Sequence, residues 1–386
     1  MPPSVPTEPI DAIKPCTSCY EPAIAIDHES RIFVVNAHED ILAFSLDGGH
    51  TYEQAKTPPI PPGAPQGVTQ WDGTLAVGPD GRLYYYAFLA RPTGAILPAP
   101  PVGLQVAAST TAARSWETNV FLSALDGPSE PVVSPWKSWL GFGQGSTVYL
   151  DYNSRGSGLW VARSDDAGKT WGGFTRVQPA DDRIISVFMG PPVVDSKGRL
   201  YIPYFGDQSP NYPNPFLPQG HQLRVASSDD RGATFRQRTI ASKAVPDYVG
   251  AFFPILAIDG SDRLVLAYWD SQSRIQVRAS FDRGETWQGP VQWSGEKQTS
   301  AAPWITVDEG RVTLMYYETG GMGYARGNVS ESLLQEPAER GVLPSSAGGG
   351  GDFIHFALDG DGRMVVPVPN ASERRVSVVF GPAWPT

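Results

Sequence analysis

The chain has 386 residues, 41 Gly and 37 Pro among them, and a formal net charge of −10. So many backbone punctuators exclude a mostly helical protein, and an acidic balance with no basic run excludes nucleic acid as a partner. No stretch approaches the roughly 18 apolar residues of a membrane span, while 41% hydrophobic and 11% aromatic residues supply a packed core.

The opening MPPSVPTEPIDAIKP has no basic segment followed by an apolar one, so no signal peptide is expected. The chain reads as cytoplasmic as it stands, or as secreted if it is a processed form. Cys16 and Cys19, the only cysteines, make a single CxxC, read as a small-loop disulfide or two packed thiols. A hairpin then recurs seven times, two apolar strands about a turn with Asp or Gly, at 22–37, 73–88, 138–153, 191–207, 254–270, 303–319 and 354–370. The second strands begin at Ile32, Leu83, Val148, Leu200, Leu264, Val312 and Met364, a spacing of about 55 residues on average.

A second element follows four of the hairpins. It runs from Ser45 to Tyr52, Ser164 to Trp171, Ser228 to Phe235 and Ser280 to Trp287, each time as S-x-D-x-G-x-T-aromatic. A worn copy is read at Ser123–Gly127. The Asp and Ser oxygens suit a turn in which they accept backbone N–H groups, with Gly at a positive φ. These carboxylates are scaffold. In these segments the chain resembles the sialidase-like, Asp-box propeller proteins.

Four strands per unit, repeated, predict an all-β fold: a seven-bladed β-propeller with Asp-box turns. The blades are expected at about 20–70, 71–134, 135–186, 187–250, 251–299, 300–350 and 351–386, in one domain. The last has room for only three strands, so residues 8–14 are expected to close the ring as its outer strand, which removes an exposed edge.

In the resembling families the ligand site lies at the mouth of the central channel, on the face opposite the Asp-boxes. That implies a ring of residues at the start of each first strand and the end of each second. Carboxylates and a tyrosine there are the catalytic candidates: Asp72, Asp270, Glu318, Glu21 and Tyr248. Trp71, Trp139, Tyr20, His38, Arg155, Asp207 and Asp352 are the binding candidates, since sugar C–H faces stack on aromatics and hydroxyls bond to carboxylates. Two long loops, 89–117 and 206–221, are read as walls of the site.

The resemblance does not extend to sialidase catalysis. The family's Arg-Ile-Pro motif is absent, since Arg31-Ile32-Phe33 lies in a hairpin on the other face, and its arginine triad is not found. The five histidines form no HxH or HExxH, so neither metal nor cofactor is expected. Asp359-Gly-Asp361-Gly is read as a hairpin turn. The expected activity is glycoside hydrolysis or elimination on a carbohydrate or similar polar small molecule, by a monomer. The alternatives are a non-catalytic propeller that binds a protein or glycan, and a natural-product enzyme of the alkylating propeller type.

Overall fold

Strand follows strand with no helix among the described residues of the computed structural model, which are 6, 8–93, 101–123, 135–154, 158–179, 189–206, 222–242, 253–295, 300–318, 321–330, 332–343 and 355–384. Within them 28 strands form seven four-stranded antiparallel sheets. In six sheets the strands are consecutive, as in Ala23–Ile26, Ile32–Val35, Ile41–Ser45 and Glu53–Lys56 of the first. The seventh combines Ala357–Leu358, Met364–Asn370 and Arg375–Phe380 with Ile10–Ile13 from the far end of the sequence. Ile10 pairs with Val378 and Ile13 with Val376. This is a seven-bladed β-propeller whose last blade is closed by the N-terminal strand, as the three-strand shortfall predicts.

Two compact units divide the chain. One holds the seventh, first and second sheets (Met1–Pro135, Asp165–Thr170, Ser345–Thr386), the other the third to sixth (Trp136–Ser164, Trp171–Pro344). In the first unit Ala12, Ile13, Ile24, Val34, Val365 and Val378 pack the seventh sheet on the first. In the second, Tyr201, Leu223, Leu256 and Leu266 pack the fourth on the fifth. Middle strands are fully buried, as in Leu83–Ala90. Outer strands such as Glu53–Lys56 are mostly exposed.

The turn chemistry is local. Asp47 Oδ1 accepts from Thr51 N at 3.0 Å and Oδ2 from Thr51 Oγ1 at 2.6 Å, while Ser45 Oγ accepts from Gly49 N at 2.8 Å. Asp230 and Asp282 repeat the pattern. Two left-handed residues in succession close each loop, as at Arg231 and Gly232 (φ 62° and 84°). Those bonds outweigh a slight loss of hydration and hold the exposed Asp47 and Asp230 carboxyls down at about 2. A second Asp turn closes the hairpins. Asp27, Asp259 and Asp359 each accept from the backbone N–H groups two and four residues on and from the side chain of the arginine four residues on.

The second sheet corrects two expectations. Its strands Leu83–Ala90, Gly103–Ser109 and Thr118–Ser123 leave only 91–102 between the first two of them, a shorter stretch than the expected 89–117, and 94–100 lie outside the described residues. Residues 109–116 form the box-like turn, ahead of the position expected at Ser123–Gly127, most of which lies outside the described residues. Thr111 Oγ1 replaces the carboxylate and accepts from Ser115 N at 2.8 Å; Ser109 Oγ accepts from Ala113 N at 3.1 Å. Ala112 and Ala113 take the left-handed pair (φ 55° and 63°). The loop expected at 206–221 falls almost wholly outside the described residues.

Candidate functional site

The site begins with an irregularity in the first strand of the second sheet. Trp71 pairs with Phe88, but Thr74 pairs with Tyr86, so Asp72 and Gly73 form a bulge. Asp72 has φ 50°, a left-handed conformation that costs a non-glycine residue about 1–2 kcal/mol. Gly73 has no alternative, since a Cβ there would lie 2.5 Å from the Tyr85 hydroxyl. The same conformation recurs at the start of other first strands, at Glu21 (φ 47°), Lys137 (φ 57°) and Ala302 (φ 50°). The bulge re-aims Asp72, and the left-handed residue just ahead of the first sheet, Glu21, is likewise a carboxylate.

They converge on His38, which follows strand Ile32–Val35. Its Nε2 lies 3.7 Å from Glu21 Oε2 and 3.9 Å from Asp72 Oδ1. One ligand-capable atom from each of the three falls within 4.8 Å of the others. Side-chain exposure is 7% for Glu21, 10% for Asp72 and 23% for His38, so solvent reaches the group chiefly through the imidazole. Tyr20 and Trp71 meet that ring edge-on, centroids 6.4 and 5.6 Å away. Trp71 is fixed by donating Nε1–H to Thr69 Oγ1 at 2.9 Å.

The loop that carries Glu21 is clamped. Cys16 and Cys19 are bridged, with Cα atoms 5.7 Å apart, and the buried pair joins the core. Glu39 Oε1 accepts from Thr17 N and, at 2.8 Å, from Ser18 N. Asn36, fully buried, donates to Ser18 O at 2.6 Å and accepts from Tyr20 N at 3.3 Å. The other end is tied by Cys16 N to Arg374 O at 2.9 Å. Neither Asn36 nor Glu39 is conspicuous in sequence; the CxxC immediately before Tyr20 is the legible signal.

His38 also forms one wall of a groove of about 810 Å³, lined by Thr17, Asp40, Lys56, Pro59, Ile60 and Gln70 among others. Two carboxylates and an imidazole at these separations can pass a proton to or from a bound molecule. They can also share a divalent cation through oxygen and nitrogen ligands; they are the one such trio among the described residues.

The remaining candidates fall elsewhere. In the second unit Asp270 accepts from Gln272 N and Arg274 N, from the Arg274 guanidinium at 2.8 and 2.9 Å, and from Gln276 Nε2 at 2.8 Å. Against burial, these bonds hold its carboxyl below the usual range. It closes a turn of the Asp27 type. Glu318 ends strand Arg311–Glu318, with its carboxyl raised by burial. Trp139 is 2% exposed, donates Nε1–H to Met189 O at 3.0 Å and packs against Phe253 and Trp304, which makes it core. Tyr248, Arg155, Asp207 and Asp352 lie outside the described residues.

Seven four-stranded blades, box turns and strand closure define an Asp-box β-propeller. The chain belongs to the BNR repeat-like domain family, which matches residues 81–336. Among solved structures it is similar to YCF48 from Cyanidioschyzon merolae (11% identity, 97% of this chain and 98% of that one, TM-score 0.54). It is also similar to the Hadza microbial sialidase Hz136 (12%, 91% and 73%, 0.53). A third likeness is to the GH93 α-L-arabinofuranosidase of Fusarium graminearum in complex with arabinobiose (15%, 84% and 98%, 0.51). No curated protein matches the sequence. At such identities the likeness is one of fold.

Proposed function

We propose that the chain is a glycoside-acting enzyme whose reacting groups are the carboxyls of Glu21 and Asp72, with His38 between them. One observation carries this: two shielded carboxylates on left-handed backbone bring oxygens within 4.8 Å of each other, beside an imidazole and two aromatic rings. Retaining glycosidases hold their carboxyls about 5–5.5 Å apart, inverting ones roughly 6.5–9.5 Å to admit a water. The short separation favours a double displacement. One carboxylate attacks the anomeric carbon while the other, as the acid, protonates the leaving oxygen; the acid then takes a proton from the water that releases the sugar. His38 Nε2, 3.7 and 3.9 Å from the two carboxylates, stands between them and fixes their spacing. The fold shared with a sialidase and an arabinofuranosidase is compatible with such chemistry without specifying it.

The test is turnover of a panel of aryl glycosides, α-L-arabinofuranosides and sialosides included, by the native chain and by Glu21→Gln and Asp72→Asn. Loss of about 10³-fold or more in kcat/KM is expected in each variant. Azide should give a glycosyl azide of inverted anomeric configuration with the nucleophile variant and of retained configuration with the acid/base variant, which assigns the two roles. Turnover should survive EDTA; abolition by the chelator would transfer the trio to cation binding. No turnover across the panel sinks the enzymatic reading in favour of a binding propeller.

A further inference from the structure

We infer that the groove beside His38 holds an uncharged oligosaccharide chain, the portion of substrate that flanks the bond cleaved at Glu21 and Asp72; this rests on the function proposed above. Its volume of about 810 Å³ is within the roughly 300–1,000 Å³ of small-molecule clefts. It is continuous with the carboxyl pair because His38 belongs to both.

The far wall is built to stay in place. Residues Pro58–Ile60 are held from behind by a ladder of amides. Gln70 Nε2 donates to Pro58 O at 2.6 Å and to Gln105 Oε1 at 2.8 Å. Gln105, fully buried, donates to Pro59 O at 2.9 Å and to Asn119 Oδ1 at 2.8 Å, and Asn119 donates to Pro59 O at 2.8 Å. A buried amide network is costly unless its members are paired, and these are. The product is a rigid proline rim with Ile60 39% exposed on it. A wall ordered in advance loses little entropy when a flexible chain settles on it.

The lining sets the exposed hydroxyl of Thr17 and the polar ends of Asp40 and Lys56 beside the apolar faces of Pro59 and Ile60, which matches the two kinds of surface a sugar presents, while the Thr57 hydroxyl is spent on Gln70 Oε1 at 2.6 Å. The charges select among sugars. Glu39 and Asp40 stand against Lys56 in the groove, and Glu21 and Asp72 lie just beyond His38. Glu39 is also immobile, since it holds the Thr17 and Ser18 amides. A chain that carries carboxylates would meet like charge along its length.

The test is isothermal titration of the full chain carrying Glu21→Gln, so that a probe is not consumed. The probes are xylo- and arabino-oligosaccharides of one to six units, with oligogalacturonides of equal length. Affinity for the neutral series should rise at least about tenfold from one unit to four, about 1.4 kcal/mol. Adding Ile60→Trp, which fills the groove from its rim, should cancel that gain with the melting temperature unchanged. Adding Asp40→Lys should shift the ratio of galacturonide to neutral affinity about tenfold towards the galacturonides. Binding independent of length, binding indifferent to Ile60→Trp, a native preference for the acidic series, or no heat from any probe overturns the inference. Length-dependent binding without turnover by the native chain would remove the catalytic reading and leave the groove. Turnover of small aryl glycosides with no length dependence would do the reverse.

Discussion

One half-buried and one fully buried titratable side chain make opposite demands on pH. His355, in the seventh sheet's approach to its first strand, accepts from Ile24 N through Nδ1 at 3.0 Å and so bonds across to the first sheet. Burial lowers its pKa to about 3. The neutral ring is the one that fits, so its contribution is complete above the unfolded value of about 6.5 and is lost as pH falls towards 3, on the order of a few kcal/mol. Melting temperature is therefore expected to fall below pH 6.5, with a shallower decline in His355→Asn; parallel curves would show that another group controls it. Asp151 behaves in reverse. Its Oδ1 accepts from Trp139 N at 3.0 Å, its Oδ2 is buried without a hydrogen-bond partner, and burial holds its pKa well above the usual range. Stability from the protonated form is complete below the unfolded value near 3.9 and erodes as pH rises. Asp151→Asn keeps the acceptor and removes the titration, so its unfolding free energy should gain on the native chain from pH 4 to pH 8 in urea melts.

The box turns show which parts of an element its residues specify. In the fourth sheet Asp230 accepts from both Thr234 N and Oγ1; in the second, Thr111 Oγ1 accepts from Ser115 N and Ala113 stands in for glycine. The exchange can be run in both directions. Asp230→Thr should cost about 1–2 kcal/mol, and Thr111→Asp should add about 0.5–1.5 kcal/mol, because a carboxylate offers a second, charged acceptor. Urea midpoints would measure both, and a loss in each direction would mean that the second turn is tuned to its hydroxyl. The hairpins and intact boxes were legible because each is local: polar side chains bonding to a backbone a few residues away. The worn box was misplaced because nothing but geometry marks a Thr and an Ala as replacements for Asp and Gly. Asp270 looked as catalytic as Asp72 by position, yet the spacing Asp270 to Arg274 repeats that of Asp27 to Arg31 and Asp259 to Arg263. That signature of a turn was readable. The grouping of Glu21, His38 and Asp72 was not, because it depends on left-handed backbone at residues whose identity does not call for it.

For the whole molecule, the seven-fold count and the N-terminal closure followed from arithmetic on repeats, whereas the groove did not, since its walls come from segments linked only by packing. The closure also carries a prediction. Ile13 is fully buried and pairs with Val376. Without residues 1–14 the strand Arg375–Phe380 keeps a bare edge, which templates pairing between chains. Such a truncated protein is expected to self-associate in light scattering, and a synthetic peptide of residues 8–14 added in excess should return it to the size of the full chain. Indifference to the peptide would mean that the strand contributes through more than its edge.

That pairing also has a temporal side. Asp11 and Ser377, bonded at 2.9 Å, are 366 residues apart in the chain. At ribosomal rates of about 5–20 residues per second, roughly 20 to 70 seconds separate their synthesis. Throughout that interval Ala12 and Ile13 have no sheet to join, and the first sheet has no seventh to lean on. The first blade must wait for the strand Arg375–Phe380 to be made. Completion is thus a single late event in the life of each nascent chain, and a cell that stalls translation near residue 370 is left with six blades and two unmet ends.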